Sequence, residues 1–569
     1  MAQWSIVRPD SAPKPRRPRF FHDRGGNVAL LFAFLSVPML MLGGAAIDYG
    51  FATRLETKLQ AATDATALLL CQTPLATPQA DLNTLAVTTM TGAMGTANLV
   101  VDPLAITNNP RKITLTTHKL STTFFGALTG TKRINPGAVA QCATPLPKTF
   151  EIALVLDNTG SMAESSGGQS KLKAVQSAAA NFVDYVYTSA AFSSATKIAI
   201  VPFAGAVAVD PTAYRYASWI DLNGISSYHW TNIVQSPPAP FKSRFDVFAK
   251  LQAVNRAWGW AGCLETLSYP LNVQDGAPTA SNKDSYYVPL LAPDEPGDAS
   301  AQVAPFPVGS QNPTAYSYNS YLDDRTGGSC QNSNSYTTAL GQACKYVNPT
   351  DAMSASPLGI PNGPNFGCTT QPLQRLTNNT STLKTLINNM APLGSTNIHE
   401  GFMWGWRTLS PNSVFADGQP YASSANSSNA STINKVIILM TDGTNSWSAN
   451  PYAPTGSLYF AAAYFKNANG TTPNPRMPPK YQNIADANTA RSALDALTAE
   501  ACSNAKAVNI SIYTIGFSIP SDPIDAAGQT LLKNCASSAD QYFLANTSDD
   551  LIKAFQTIQA SIGALRLTQ

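Results

Sequence analysis

Charge is what this sequence has least of. Only 12% of its 569 residues are charged, about half the usual share for soluble domains, and the formal net charge is +3. So small a net charge gives no footprint for nucleic acid, which would need Lys and Arg clustered across a folded domain. Histidine is scarce, at 4, and none of the 8 cysteines forms a C-x-x-C pair, which argues against a zinc framework. G-x-S-x-G, H-E-x-x-H, Walker and G-x-G-x-x-G motifs are all missing. His399-Glu400 lacks the second histidine of a zincin and reads as helix surface or domain core. No motif is left to carry an enzymatic reading.

Hydrophobic residues make up 44%, enough for sizeable cores, and the length suits two or three folded units. Ser, Thr, Asn and Gln stand where charge is missing, a balance that fits an exported protein. The even, scattered cysteines (Cys71, Cys142, Cys263, Cys330, Cys344, Cys368, Cys502, Cys535) suit disulfides in an oxidising compartment. Eight buried thiols are the alternative.

From Gly25 to Ile47 no side chain is charged, a stretch long enough to cross a bilayer core of roughly 30 Å as a helix. Pro38, in its middle, is tolerable in a membrane helix. Arg8, Lys14, Arg16, Arg17, Arg19 and Arg24 precede it against only Asp10 and Asp23, so the N-terminus is expected in the cytoplasm and everything after Asp48 outside. A cleaved signal peptide competes, with Ala45-Ala46 as small residues, but the apolar run exceeds the usual core of about 7–15 residues. Phe51, Leu55, Leu59, Ala62 and Leu69 continue at helical spacing, predicting one long helix that leaves the membrane and enters a folded domain.

The segment RGGNVALLFAFLSVPMLMLGGAAIDYG followed by KLQAATDATALLL resembles the TadE/TadG-like proteins of tight-adherence (Flp-type) pilus assembly, closely over about 24–72. The likeness continues loosely to TFFGALTGTKRINPGAVAQC, which reads as strand, turn and strand. No Glu stands at the fifth position after Gly26, where pilin-type cleavage sites usually have one, which counts against pilin-like processing.

Beyond the Pro-rich joint ATPLPK, Glu151 to Leu156 is an apolar run suited to a buried parallel strand. Asp157, Thr159 and Ser161 follow at its carboxyl end, two apart, in a Gly-containing turn. Lys171 to Val186 then reads as an amphipathic helix with Leu172, Val175, Ala179, Phe182 and Val186 on one face. Strand ends followed by turn and helix are where open α/β sheets bind ligands. GSTNIHEG puts Thr396 in a loop before a helix at 397–409, and NKVIILMTDGT is a second buried strand ending at Asp442-Gly443. Taken singly, DNTGS could be a capping turn, TDG a β-turn and GSTN an N-cap.

Their order resembles the von Willebrand factor A (vWA) domain and its metal-ion-dependent adhesion site. The resemblance gives Asp157, Thr159, Ser161, Thr396 and Asp442 the metal-site roles, with Thr159 where Ser is commoner. Two carboxylates and three hydroxyls make an all-oxygen set for a hard divalent cation, Mg²⁺ foremost, with Mn²⁺ or Ca²⁺ as alternatives. The two carboxylates would just neutralise it, leaving it able to take a carboxylate from a protein partner.

Strands are expected at 196–205, with an antiparallel return at Ala206 to Val209, and at 508–517, with a last strand and helix in DQYFLANTSDDLIKAFQTI. Cys502 and Cys535 flank neighbouring elements at one sheet edge and are expected to pair; a Cys71–Cys142 pair would likewise tie the post-membrane helix to the end of its domain. The stretch at about 212–372 is too long for a loop and is either a disulfide-held irregular subdomain or partly disordered; its Trp219, Trp230, Trp258, Trp260, Tyr316, Tyr318 and Tyr321 argue that it folds. If the 206–209 hairpin holds, this insertion roots far from the metal. A second insertion, 443–484, roots beside Asp442, and its Trp447, Tyr452, Tyr459, Phe460 and Tyr464 form either a binding rim or a self-packed loop.

The expected fold is α/β. A cytoplasmic basic tail (1–24) and a transmembrane helix (25–48) precede a small α+β, pilin-like TadE/TadG-like exported domain (49–145). A vWA domain (150–569), a doubly wound, mostly parallel sheet with flanking helices in the Rossmann-like manner, carries the large irregular insertion. The expected role is a metal-dependent, protein-binding component of tight-adherence pilus assembly, single-pass in the bacterial inner membrane with its bulk periplasmic, working with pilus-assembly components. A secreted or surface adhesin with a processed anchor is the alternative.

Overall fold

A computed structural model describes residues 27–563 apart from 75–76, 108–110, 127–129, 144–148, 167, 190, 234–240, 297–317, 324–335, 353–357, 422–432, 452 and 468–469. The basic residues before Gly25, most of the ATPLPK joint, Tyr316, Cys330 and Tyr452 lie outside these described residues. The chain divides into two compact units, one ending at Leu146 and the other running from Pro147 to Ala564.

The first unit is built on helix α1, Asn27–Cys71, which passes Pro38 unbroken. Its first half is bare: Phe32, Phe34 and Leu42 are more than 70% exposed. Its second half buries Leu59, Thr63, Ala67 and Leu70, three and four residues apart, which is one helical face. Leu59 belongs to the face read from the sequence, whereas Phe51 and Leu69 are exposed. Helix α2, Gln79–Met94, adds Leu82, Ala86 and Met90. Against them lies an antiparallel sheet in which β3 (Lys112–Lys119) pairs with β1 (Leu99–Val101), β2 (Ala105–Thr107) and β6 (Gly137–Ala143). Alternation supplies the buried face: Ile113, Leu115 and Thr117 from β3, and Ala138, Ala140 and Cys142 from β6. A small hairpin, β4 (Ser121–Thr122) with β5 (Arg133–Ile134), precedes β6, and Cys71 is disulfide-bonded to Cys142.

The second unit centres on a six-stranded, mostly parallel sheet. Its strands are β7 (Phe150–Asp157), β8 (Lys197–Phe203), β9 (Gln374–Thr377), β10 (Asn434–Thr441), β11 (Ser511–Phe517) and β12 (Tyr542–Ala545), in the spatial order β9-β8-β7-β10-β11-β12. Only β9 runs antiparallel to its neighbour. Strands β7, β8 and β10 are buried on both sides, which is why they read as unbroken apolar runs. Helices α3 (Lys171–Thr188), α5 (Thr380–Asn389) and α9 (Ser548–Gly563) cover one face. Helices α6 (Ile398–Leu409), α7 (Ala487–Ala507) and α8 (Ala526–Cys535) cover the other. Of these, α6 is buried along its whole length. It lies close on the sheet because Gly401 and Gly405 face it: a Cβ there would sit 2.5 Å from Phe203 and 2.4 Å from Val155.

The region between β8 and β9 departs from expectation. Ala206 to Val209 is no strand of the sheet; Ala208 instead makes isolated bridges to Cys263 and Pro372. The antiparallel strand is β9, which pairs Ile200 with Gln374 and Ile198 with Thr377. The large insertion therefore leaves and returns at the carboxyl end of β8, the same sheet edge that carries Asp157, and not at the far edge. Its neck is closed by a Cys263–Cys368 disulfide. The insertion folds: Trp219, Trp258, Trp260 and Tyr321 are buried, and Tyr287 and Trp219 pack on Trp404 of α6 with ring centroids 5.4 and 6.4 Å apart. It also contains helix α4, Arg244–Val254, whose Arg244 is fully buried against Glu265. A second disulfide of this unit joins Cys502 on α7 to Cys535 on α8.

Candidate metal centre

Adjacent parallel strands bring the two carboxylates together. Register pairs Leu156 with Met440, so β7 and β10 end level, with Asp157 on the last residue of one and Asp442 just beyond the other. Thr441 Oγ1 donates to Asp157 Oδ2 at 2.6 Å, and the Thr159 backbone N–H donates to Asp157 Oδ1 at 2.8 Å. The chain then turns through a short 3-10 segment, Gly160–Ala163, which carries Ser161 back over the strand end. Ser161 Oγ donates to Asp442 Oδ1 at 2.9 Å and lies 3.1 Å from Thr159 Oγ1.

Thr396 arrives from the loop after α5. That loop is stitched to the 157–161 turn by Leu393 N–H on Asn158 O (2.9 Å) and Gly160 N–H on Gly394 O (2.9 Å). Asn158 Nδ2 also donates to Ala391 O at 2.9 Å. Asn397 then caps α6 through its side chain on Glu400 N–H. Thr396 Oγ1 comes within 3.9 Å of where a Cβ on Gly443 would sit, which sets it beside Asp442. The five residues singled out in the sequence thus gather at one sheet edge, and Asp157, Thr159, Thr396 and Asp442 are buried.

One member had not been foreseen. Lys171, the first residue of α3, is fully buried, and its ammonium lies 2.6 Å from both Asp442 Oδ2 and Asp522 Oδ2. The sequence signal is weak: Lys171 opens an amphipathic helix, where the macrodipole mildly disfavours a cation. Asp522 follows β11 in a turn closed by its N–H on Ile519 O, and no spacing in the chain announces it.

Electrostatics follow from this crowding. Burial first, and the charge of Asp442 second, raise Asp157 to about 7 in spite of the Thr441 and Thr159 hydrogen bonds. Burial also raises Asp442, against Lys171 and Ser161. Burial alone would lower Lys171, but Asp442 and Asp522 outweigh it and the ammonium is held above its ordinary value. An all-oxygen donor set around carboxylates that resist sharing a dry site fits a hard dication. Among the described residues no group of three or more His, Cys, Asp or Glu side chains is placed to hold a metal ion, so a cation here would rest on two carboxylates and hydroxyls.

The aromatic residues expected as a rim are placed otherwise. Trp447, Tyr459, Phe460 and Tyr464 are buried, each no more than 3% exposed. Trp447 stacks on Phe460 at 5.1 Å. The Tyr459 hydroxyl donates to Glu265 of the first insertion, and Tyr464 donates to Glu295 at 3.3 Å. Arg476 also binds Glu265, so the second insertion turns inward and packs on the first, the self-packed alternative. His399 and Glu400 are likewise internal: His399 Nε2 donates to Asn272 O at 2.8 Å, and Glu400 accepts from Thr266.

Residues 26–69 match the Flp pilus-assembly TadE/G-like family, Tad. No curated protein is significantly similar to the chain. Among solved structures, the pilus adhesin SpaC from Lactobacillus rhamnosus GG aligns over 82% of this chain and 34% of its own, at 12% identity and TM-score 0.30. The vWF domain of the type V pili tip protein Mfa5 from Porphyromonas gingivalis aligns over 74% of this chain and 98% of its own, at 12% identity and TM-score 0.32. The von Willebrand factor type A structure from Catenulispora acidiphila aligns over 82% and 50%, at 9% identity and TM-score 0.26. This chain therefore spans about a third of SpaC, and likeness at these scores is too distant to carry site residues or activity across.

Proposed function

We propose that this protein is a membrane-anchored, metal-dependent protein-binding component of tight-adherence pilus assembly or adhesion. The second unit is read as a doubly wound vWA domain, and Asp157, Thr159, Ser161, Thr396 and Asp442 as its metal-ion-dependent adhesion site. One observation carries the reading: five oxygen-bearing side chains from three separate stretches of sequence meet at the carboxyl edge of two adjacent parallel strands. The match at 26–69 and the bare apolar half of α1 support a retained inner-membrane anchor, with the basic tail cytoplasmic, the bulk periplasmic and pilus-assembly components as partners.

The hydroxyls of Thr159, Ser161 and Thr396, with Asp157 and Asp442, would hold the cation, Mg²⁺ foremost with Mn²⁺ or Ca²⁺ as substitutes. When bound, it supplies an electrophilic coordination position for a carboxylate of a protein partner. The chain's own groups set how strongly. Thr441 and the Thr159 N–H orient Asp157. Lys171 fixes Asp442 and pairs equally with Asp522, so Asp157, Asp442, Asp522, Lys171 and a dication together would carry no net charge.

The test is calorimetry on the full chain in detergent, with EDTA or with Mn²⁺. Mn²⁺ is expected to raise the Tm of the second unit, because a ligand stabilises only the state that binds it. Asp442→Asn is expected to keep the fold and lose that rise. An equal rise in both proteins, or none in the wild type, defeats the metal-site reading.

A further inference from the structure

We propose that the turn at 123–126, just after β4, is a foot that rests in the membrane interface, with Phe124 entering the boundary between headgroups and acyl chains beside Tyr49 and Phe51. This rests on the reading of α1 as a retained anchor. Ala29–Asp48 rises roughly 30 Å at about 1.5 Å per residue, the thickness of a hydrocarbon core. Asp48 therefore marks the outer edge of the span, and whatever packs at that level meets lipid headgroups.

The apolar surface does not stop at Asp48. Ile47, Tyr49 and Phe51 are 48%, 75% and 49% exposed, and Phe124, far away in sequence, is 75% exposed. The Phe51 and Phe124 rings lie 5.2 Å apart. Aromatic side chains gathered at the end of a membrane span are the chemistry of an interfacial belt. Here the belt takes a residue from outside the helix.

The loop is built to present that ring. Asp48 is only 8% exposed, and its carboxylate accepts the backbone N–H of Phe124 at 2.7 Å and of Phe125 at 2.9 Å. Phe125 lies over Gly44, where a Cβ would come within 2.7 Å of its ring. With Phe125 turned in, Phe124 is turned out. Thr123 closes the base, its hydroxyl on Thr131 O at 2.6 Å and its N–H on Lys132 O at 3.3 Å.

Charge fits the same surface. Lys132 and Arg133 in the hairpin, and Arg54 and Lys58 on the next turns of α1, are exposed. The single exposed acidic residue over 49–60 and 121–134 is Glu56. Cations just outside an aromatic ring suit anionic headgroups. Continuity with the apolar span and this charge together identify the occupant as a lipid surface.

The experiment places one spin label at a time in the full chain, reconstituted in phosphatidylethanolamine–phosphatidylglycerol bilayers. No described native cysteine is free, so Phe124→Cys, Ile47→Cys and Val100→Cys give selective labels. Val100, on β1, is 54% exposed and serves as the aqueous control. Power saturation with oxygen and a water-soluble nickel chelate reads depth. The label at 124 is expected to favour oxygen, as at 47, and Asp48→Ala is expected to shift it toward the chelate by freeing the loop. A label at 124 that behaves like the one at 100, while 47 reports lipid, overturns the foot and leaves the anchor standing. A water-exposed label at 47, or a chain lacking its N-terminal segment, overturns both.

Discussion

Lys171 occupies the helix end where the macrodipole disfavours a cation, and it is fully buried between two carboxylates. Lys171→Met would leave Asp442 buried without its counter-charge, and removing one partner of a buried pair costs about 3–5 kcal/mol. Calorimetry in EDTA is therefore expected to show a lower Tm for the variant. The same change removes a positive charge a few ångströms from the centre, so titration with Mn²⁺ is expected to show roughly tenfold tighter binding; weaker binding would mean that Lys171 helps to build the site. Asp157 sets the pH response. Its folded value of about 7 lies above the ordinary 3.8, so the metal-free fold keeps a proton that the unfolded chain releases between those values. Its stabilising contribution is complete below about 4 and is lost as pH rises through about 7. A dication must displace that proton, so the Mn²⁺-induced rise in Tm is expected to be small at pH 5 and to grow toward pH 8. Burial also raises Glu295 to about 7, so the difference between wild type and Asp157→Asn isolates the Asp157 share.

At the scale of elements, the two insertions explain what the sequence could and could not tell. Strands buried on both faces and helices with one apolar stripe carry strong periodic signals, so β7, β10, α3 and α6 lie within a residue or two of where the pattern sets them. The site was legible because its donors sit at the ends of those elements. Strand β9 was not: Gln374–Thr377 is a half-buried edge strand with no apolar alternation, whereas the apolar run Ala206–Val209 imitates a strand while feeding the insertion. Nor could composition tell a binding rim from an inward-folded loop, because Tyr459 and Tyr464 find buried carboxylates a long way off in sequence. The Cys502–Cys535 pair was readable because its two helices adjoin. Its loop of 33 residues limits the unfolded chain by about 3–4 kcal/mol in the loop-entropy account. Cys502→Ala/Cys535→Ala is accordingly expected to lower the Tm of the second unit by several degrees while keeping its response to Mn²⁺. An unchanged Tm would show that packing of α7 on α8 alone secures this edge.

At the scale of the whole molecule, a periplasmic binding unit on a membrane anchor, as proposed above, would have to bear load. The Cys71–Cys142 disulfide joins the last residue of α1 to the strand that leads out of the first unit, across a sequence separation of 71. Tension on the second unit thus enters the anchor helix through two sulfur atoms, and the chain from 72 to 141 hangs outside the force path. Pulling the full chain from its C-terminus in an oxidising buffer is expected to yield no lengthening from that segment. Adding a reductant is expected to release roughly 240 Å of further contour length. On the proposed reading, the covalent bypass would make the first unit a stiff coupling between grip and membrane, its segment 72–141 unable to lengthen until the thiols are freed.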